Sequence, residues 1–189
     1  MTTEVPLVPT PGQTVGPFFG YALPYEGGEY LVPPGHPDAV RLTGLVLDGG
    51  DNPIPDALLE IWQADGAGRI VPTPGSLRRD GWTFTGWGRA ATDNAGRYSF
   101  TTVRPGPTEP DRLPFFAVVV FARGLTNRLF TRAYLPARAE DLAADPLLGS
   151  LSEDRRRTLI AAWNDDELEF DVRLQGRDET VFLSFDRSS

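Results

Sequence analysis

The sequence predicts a mainly β chain: a single-domain, two-sheet β-sandwich with an extended N-terminal arm and a short helical insert. Three observations predict it. Glycine (20) and proline (18) are scattered between short apolar runs rather than gathered in one linker, the distribution expected of many strands joined by turns. From Val40 onward apolar residues either alternate with polar ones or run unbroken, as from Phe115 to Ala122, which are the patterns of half-buried and central strands. Helical spacing is confined to the stretch between Ala137 and Trp163. Hydrophobic residues make up 40% of the chain, enough for a core and too many for a disordered segment.

The arm comes first, residues 1–38. Eight prolines fall between Thr2 and Asp38. Each fixes φ and removes a donor, so neither helix nor central strand is predicted there. The arm also carries Phe18, Phe19, Tyr21, Tyr25 and Tyr30. Rings on an irregular segment need a surface, either this chain's own sandwich or another subunit.

The sandwich is predicted over residues 39–189. Val40–Leu47 alternates and reads as a strand; Asp48-Gly49-Gly50-Asp51-Asn52 is a turn, and Ala57–Gln63 a second strand. Residues 64–83 are rich in glycine and proline, a long loop of the kind that is usually either functional or disordered. Gly86–Thr92 and Arg97–Val103 flank Asp93-Asn94-Ala95-Gly96, a hairpin turn. A proline-rich loop, residues 104–114, leads to Phe115–Ala122, read as a buried central strand, and then to the strand Arg128–Leu135. Ala137–Ala144 and Glu153–Trp163 read as helices, with Ser150 and Glu153 at capping-box spacing. Glu167–Gln175 and Thr180–Asp186 close the chain as two alternating strands.

Composition excludes more chemistry than it offers. With no cysteine there is no disulfide, thiolate metal site or thiol nucleophile, which fits a reducing, cytoplasmic setting. No run is long and apolar enough to span a bilayer, and the first residues have no signal-peptide pattern. The net charge of −8 argues against nucleic acid. The basic run Arg155-Arg156-Arg157 reads as a solvated helix face balanced by Glu153 and Asp154. All 18 basic residues are arginine, so Schiff-base chemistry and a P-loop are both excluded. The one histidine, His36, sits between prolines and reads as a surface residue. Without a second imidazole it makes a poor metal centre. Asp48, Asp51 and Asp93 could serve a hard cation but match no EF-hand and read as turn formers. Asp165 and Asp166 read as solvated acids.

Three segments, in order, resemble the intradiol ring-cleaving dioxygenases. They are Thr10-Pro11-Gly12-Gln13-Thr14-Val15-Gly16-Pro17-Phe18-Phe19; then Leu42-Thr43-Gly44-Leu45-Val46-Leu47-Asp48 with Leu59-Glu60-Ile61-Trp62-Gln63; then Gly88-Arg89-Ala90-Ala91-Thr92-Asp93 with Gly96-Arg97-Tyr98-Ser99-Phe100 and Val103-Arg104-Pro105-Gly106-Pro107. The resemblance covers the chain from Thr10 to Phe185. It implies a β-sandwich and a ferric site of two tyrosines and two histidines. No tyrosine lies between Tyr30 and Tyr98, where the first would fall, and Thr108 stands where the second would follow Pro107. Phe115 and Ala117 stand at the histidine positions.

All four ligands are therefore missing, and no metal or catalytic residue is expected on this chain. Phe121-Ala122-Arg123-Gly124 and residues 174–182 resemble the family's iron-free α type. The resemblance thus implies an αβ hetero-oligomer in which a homologous β subunit holds Fe(III). The assembly would use O₂ to cleave protocatechuate, a catechol acid, between its hydroxyl-bearing carbons, giving 3-carboxy-cis,cis-muconate. This chain would shape the partner's pocket with Thr14, Gly16, Pro17 and Arg123. A planar guanidinium suits an anionic ring; on the residues alone Arg123 reads as an ordinary salt bridge, and the resemblance turns the reading toward the pocket. Two other readings stay open on residues alone: a stand-alone transthyretin-like binding module, and an enzyme with a carboxylate-bound metal.

Overall fold

The computed structural model describes residues 14, 16, 18–71, 80 and 82–185. Alternation of apolar side chains builds two sheets. The first runs β4 (Arg97–Val103), β1 (Ala39–Leu47), β8 (Glu167–Glu169), β7 (Ala162–Asn164), with β9 (Val172–Arg173) also on β1. The second runs β3 (Trp87–Ala91), β2 (Leu58–Trp62), β5 (Phe115–Phe121), β6 (Leu129–Tyr134). β1 and β4 pair antiparallel, from Ala39 opposite Val103 to Leu45 opposite Arg97. β8 and β9 join β1 in parallel.

The core lies between the sheets. Leu59 and Ile61 of β2 and Phe116, Val118 and Val120 of β5 point inward at period two. They meet Leu42, Val46, Tyr98, Phe100, Leu168 and Phe170 of the first sheet. The run Phe115–Ala122 is central, as expected. It is fully buried on one face only: Phe115, Ala117, Val119 and Phe121 are half-buried on the other.

The penultimate strand breaks in two for a local reason. At Phe170 the backbone turns its carbonyl onto the Tyr98 hydroxyl, 2.5 Å away, and the Asp171 carboxylate accepts from Leu45 N at 2.8 Å. The crossing is so close that a Cβ on Gly44 would lie 2.0 Å from the Phe170 oxygen, so only glycine fits. Burial holds the Tyr98 phenol well above its usual range. The stretch expected as the last strand, where described, runs extended along β6 instead. Leu183 N donates to Phe130 O at 2.7 Å and Thr131 Oγ1 to Val181 O at 2.8 Å.

The helical insert is shorter and more broken than its periodicity suggests. α2 (Ala139–Ala144), α3 (Pro146–Gly149) and α4 (Glu153–Arg157) enclose a second cluster of Tyr134, Leu148, Leu159 and Val181. α3 was not expected. Asp145 caps it, accepting from Leu147 N and Leu148 N, with Pro146 at its first turn. α4 stops at Arg157 because Leu159 and Ala161 bond to Tyr134 instead: Tyr134 N to Leu159 O at 2.8 Å, Ala161 N to Tyr134 O at 2.9 Å. The capping box does not form. Ser152 is the N-cap, without a side-chain bond, and the Ser150 hydroxyl donates back to Leu147 O. Nor are the three arginines simply solvated: Arg155 donates to Glu179 O, Arg156 to Leu148 O and Leu151 O, and Arg157 to Asp178.

The arm also departs from expectation. One helical turn, α1 (Phe19–Ala22), forms and buries Phe19. Residues 28–32 then bridge the two sheets at one edge. Arg89 N donates to Gly28 O, Thr101 N to Glu29 O, and Leu31 N to Thr101 O, and Leu31 enters the main core. The β3 and β4 edges are thereby partly covered.

Candidate functional site

β2 and β5 carry two chemically different ends. Where β2 finishes and β5 begins there is a cavity of about 160 Å³. Trp62, Leu113, Phe115 and Ala117 are among the residues forming it, with Ile70, Gly106 and Thr108 contributed by loops. The loops are fixed by Asp65. Its carboxylate accepts from Ala67 N and Arg69 N, both at 2.9 Å, and its carbonyl accepts from Gly106 N at 2.8 Å. Backbone donation, from Arg69 above all, holds the Asp65 carboxyl below its usual range. Gln63 is the one amide side chain in the wall, and its groups are engaged internally. Nε2 donates to Val103 O at 2.9 Å and Ala64 O at 3.1 Å, and Oε1 accepts from Thr102 Oγ1 at 2.5 Å.

The cavity contains the positions Thr108, Phe115 and Ala117, which the sequence resemblance places at ferric ligands. The donor set does not fit iron. Among the described residues its walls are an indole, a phenyl ring, alkyl groups, one hydroxyl and the Gln63 amide, whose groups are engaged internally, and none is a usual ligand for a ferric ion. Among the described residues no group of three or more His, Cys, Asp or Glu could hold a metal. His36 is a local turn former, its Nδ1 accepting from Asp38 N at 3.2 Å. Asp48 and Asp93 organise turns: Asp48 accepts from Gly50 N and Asn52 N, Asp93 from Ala95 N and Arg97 N. Asp51 sits in the same turn with positive φ and pairs with Arg173.

The other end is polar. Arg123 follows β5 and pairs with Asp56, which precedes β2; Nε donates to Oδ2 at 2.6 Å. The Arg123 side chain stays 62% exposed, so the pair leaves part of the guanidinium facing solvent. A Cβ on Gly20 of α1 would lie 3.9 Å from the Asp56 carbonyl oxygen, so the arm helix and the Arg123 pair meet at one corner. On that helix Phe18 and Tyr21 are 78% and 86% exposed. Just before it, Thr14 is exposed and accepts from Gly16 N at 3.4 Å. Gly16 has φ +71, a left-handed geometry that favours glycine. Pro17 lies outside the described residues.

The sequence reading did not single out what fastens the arm. Arg89, on the outer face of β3, donates to Glu60 of β2 through Nε at 2.9 Å and NH2 at 2.5 Å, and to Leu23 O through NH1 at 2.7 Å. Its guanidinium lies 5.9 Å from the Tyr25 ring and 5.1 Å from the Trp87 ring, which stack on each other. The available signal was an opposite-charge pair on neighbouring strands, Glu60 and Arg89 in register. The cavity was also missed, because its walls come from segments far apart in the chain.

Comparison with known proteins places this architecture. Residues 15–128 match a protein-family profile described as "Dioxygenase". The protocatechuate 3,4-dioxygenase alpha chain of Burkholderia cepacia is 39% identical over 97% of this chain and 99% of its own length. The beta chain from the same organism is 34% identical over 76% of this chain and 67% of its own. Among solved structures, the dioxygenase domain of a carbohydrate-binding fusion protein from Streptomyces sp. SirexAA-E aligns with a TM-score of 0.58 and 26% identity, over 90% of this chain and all of that one.

Proposed function

We propose, from the premise that this chain belongs to the intradiol dioxygenase family, that it is an α-type subunit. In this reading a homologous β-type chain holds the ferric iron, and the αβ assembly cleaves protocatechuate with O₂ in a cytoplasmic setting. The observation that carries the proposal is the cavity: the positions where the family's metal ligands would fall are Thr108, Phe115 and Ala117, in an apolar wall. Both an α-type and a β-type relative resemble this chain, which supports a pseudo-symmetric pair.

The two ends of β5 support a division of labour. Residues 1–38 form the arm and residues 39–189 the sandwich. Thr14, Gly16 and Pro17 of the arm, with Arg123, line the partner's pocket. Arg123 supplies positive charge for a carboxylate, locally offsetting an acidic chain. The exposed rings Phe18 and Tyr21 are covered by the partner.

Co-expression with a β-type chain tests this. Each αβ unit should purify with iron and ring-cleaving activity, and this chain alone with neither. Stoichiometric iron or ring cleavage from this chain by itself would overturn the proposal.

A further inference from the structure

We infer, on the α-type reading above, that Arg89 is a positioning residue for substrate binding: it sets where the arm, and with it Thr14 and Gly16, stands against the partner's pocket. The arm depends on an outside anchor. α1 is a single turn of four residues, far below the length at which a helix holds by its own hydrogen bonds. Of its side chains only Phe19 is buried, while Phe18 and Tyr21 stand in solvent. Carbonyls at the end of a helical turn have no partner within it. Arg89 supplies one for Leu23, NH1 donating to its oxygen at 2.7 Å.

Arg89 is itself held from the sheet side. Nε and NH2 both donate to Glu60 Oε1, at 2.9 and 2.5 Å, and the two side chains are only 14% and 16% exposed. Solvent and salt screen such a pair weakly, so its charge-assisted bonds are firm. A further bond runs through the backbone, Arg89 N donating to Gly28 O at 2.8 Å. One residue thus grips the arm on both sides of Tyr25, whose ring lies beside the guanidinium. The planar fork reaches a carboxylate and a carbonyl at once; a lysine ammonium is a single point of charge on a flexible stem. Thr14 and Gly16 precede Phe18 by four and two positions, so a shift of α1 carries them with it.

The assembled αβ complex tests this by its kinetics on protocatechuate. With Arg89→Ala, KM should rise about five- to tenfold while kcat per bound iron stays within about twofold of wild type, the pattern of misplaced binding groups. Arg89→Lys should recover part of KM. Gly28→Ala reaches the same seat by another route: a Cβ there would lie 2.8 Å from the Arg89 carbonyl oxygen, pushing the arm away with the guanidinium intact, and KM should rise again. It decides the matter if Arg89→Ala fails to assemble. A wild-type complex without ring cleavage would sink the α-type reading itself. With an active wild-type complex, an unchanged KM for Arg89→Ala would overturn the role of Arg89 alone, and so would loss of iron and kcat at constant KM, the mark of a residue that only stabilises the fold.

Discussion

At its N-terminal end β5 presents Phe115 and Ala117 to an apolar cavity; past its C-terminal end the same strand delivers Arg123 to an exposed corner beside α1. Arg123 lies six positions after Ala117, roughly 20 Å of extended chain. One end is an apolar pocket whose described lining holds no ionisable side chain. The other faces outward with a guanidinium, two exposed rings and the residues that precede α1. A sandwich scaffold keeps the two apart because its strands are rigid and its loops are not obliged to agree. Chemistry can be absent at one end of a sheet while the opposite end is arranged for use by a neighbour.

The comparison can be broken at its shared support. Phe116→Ala removes a fully buried ring from the strand that joins the two ends. It should cost about 3–5 kcal/mol in urea unfolding, taking cavity and corner down together. Arg123→Ala sharpens it. In the assembled complex kcat/KM for protocatechuate should fall by about ten- to hundredfold, the size of a lost charge-assisted hydrogen bond, chiefly through KM. Co-purification with the partner should persist, and Arg123→Lys should recover part of the loss. Unchanged kinetics would reduce Arg123 to its bond with Asp56, an exposed pair of the kind worth about 0–1 kcal/mol.

Arg89→Ala tests what holds the corner in place. It strands Glu60 and frees the Leu23 carbonyl, and should cost about 1–3 kcal/mol while weakening the near-ultraviolet circular dichroism of the Tyr25–Trp87 stack. A smaller effect belongs to Asp48, in the turn after β1. The amides of Asn52 and Gly50 lower its carboxyl below the usual value. Its contribution is therefore present above the unfolded value near 3.8 and lost as pH falls through the lower folded one. Wild type and Asp48→Asn should converge in thermal midpoint as pH drops through that window, and diverge above it.

Much of the scaffold was legible in the residues. Asp93 and Gly96 announce the turn between β3 and β4, and Leu59, Ile61, Phe116, Val118 and Val120 mark their own inward faces by period. Boundaries failed where tertiary bonds override local preference. Helical spacing continues past Arg157, but Leu159 and Ala161 pair with Tyr134. The alternation of Glu167–Gln175 hides the carbonyl that Phe170 turns to Tyr98. α3 could have been found from Asp145-Pro146, a cap followed by proline at the first helical turn. That Thr108, Phe115 and Ala117 stand where the resemblance places ligands was legible in the residues. The cavity's shape was not, since it depends on how Ile70 and Leu113 approach Trp62 from distant loops.

The parallel seating of β8 and β9 on β1 has a consequence for synthesis. Arg41 waits for Glu167, 126 positions later, so on the ribosome β1 can zip to β4 early while its opposite flank stays bare until residues 167–173 have left the exit tunnel. During that interval an adhesive strand is open to any neighbouring nascent chain, a hazard typical of long-range pairing. Chaperone demand should therefore concentrate between the emergence of β4 and that of β8 and β9.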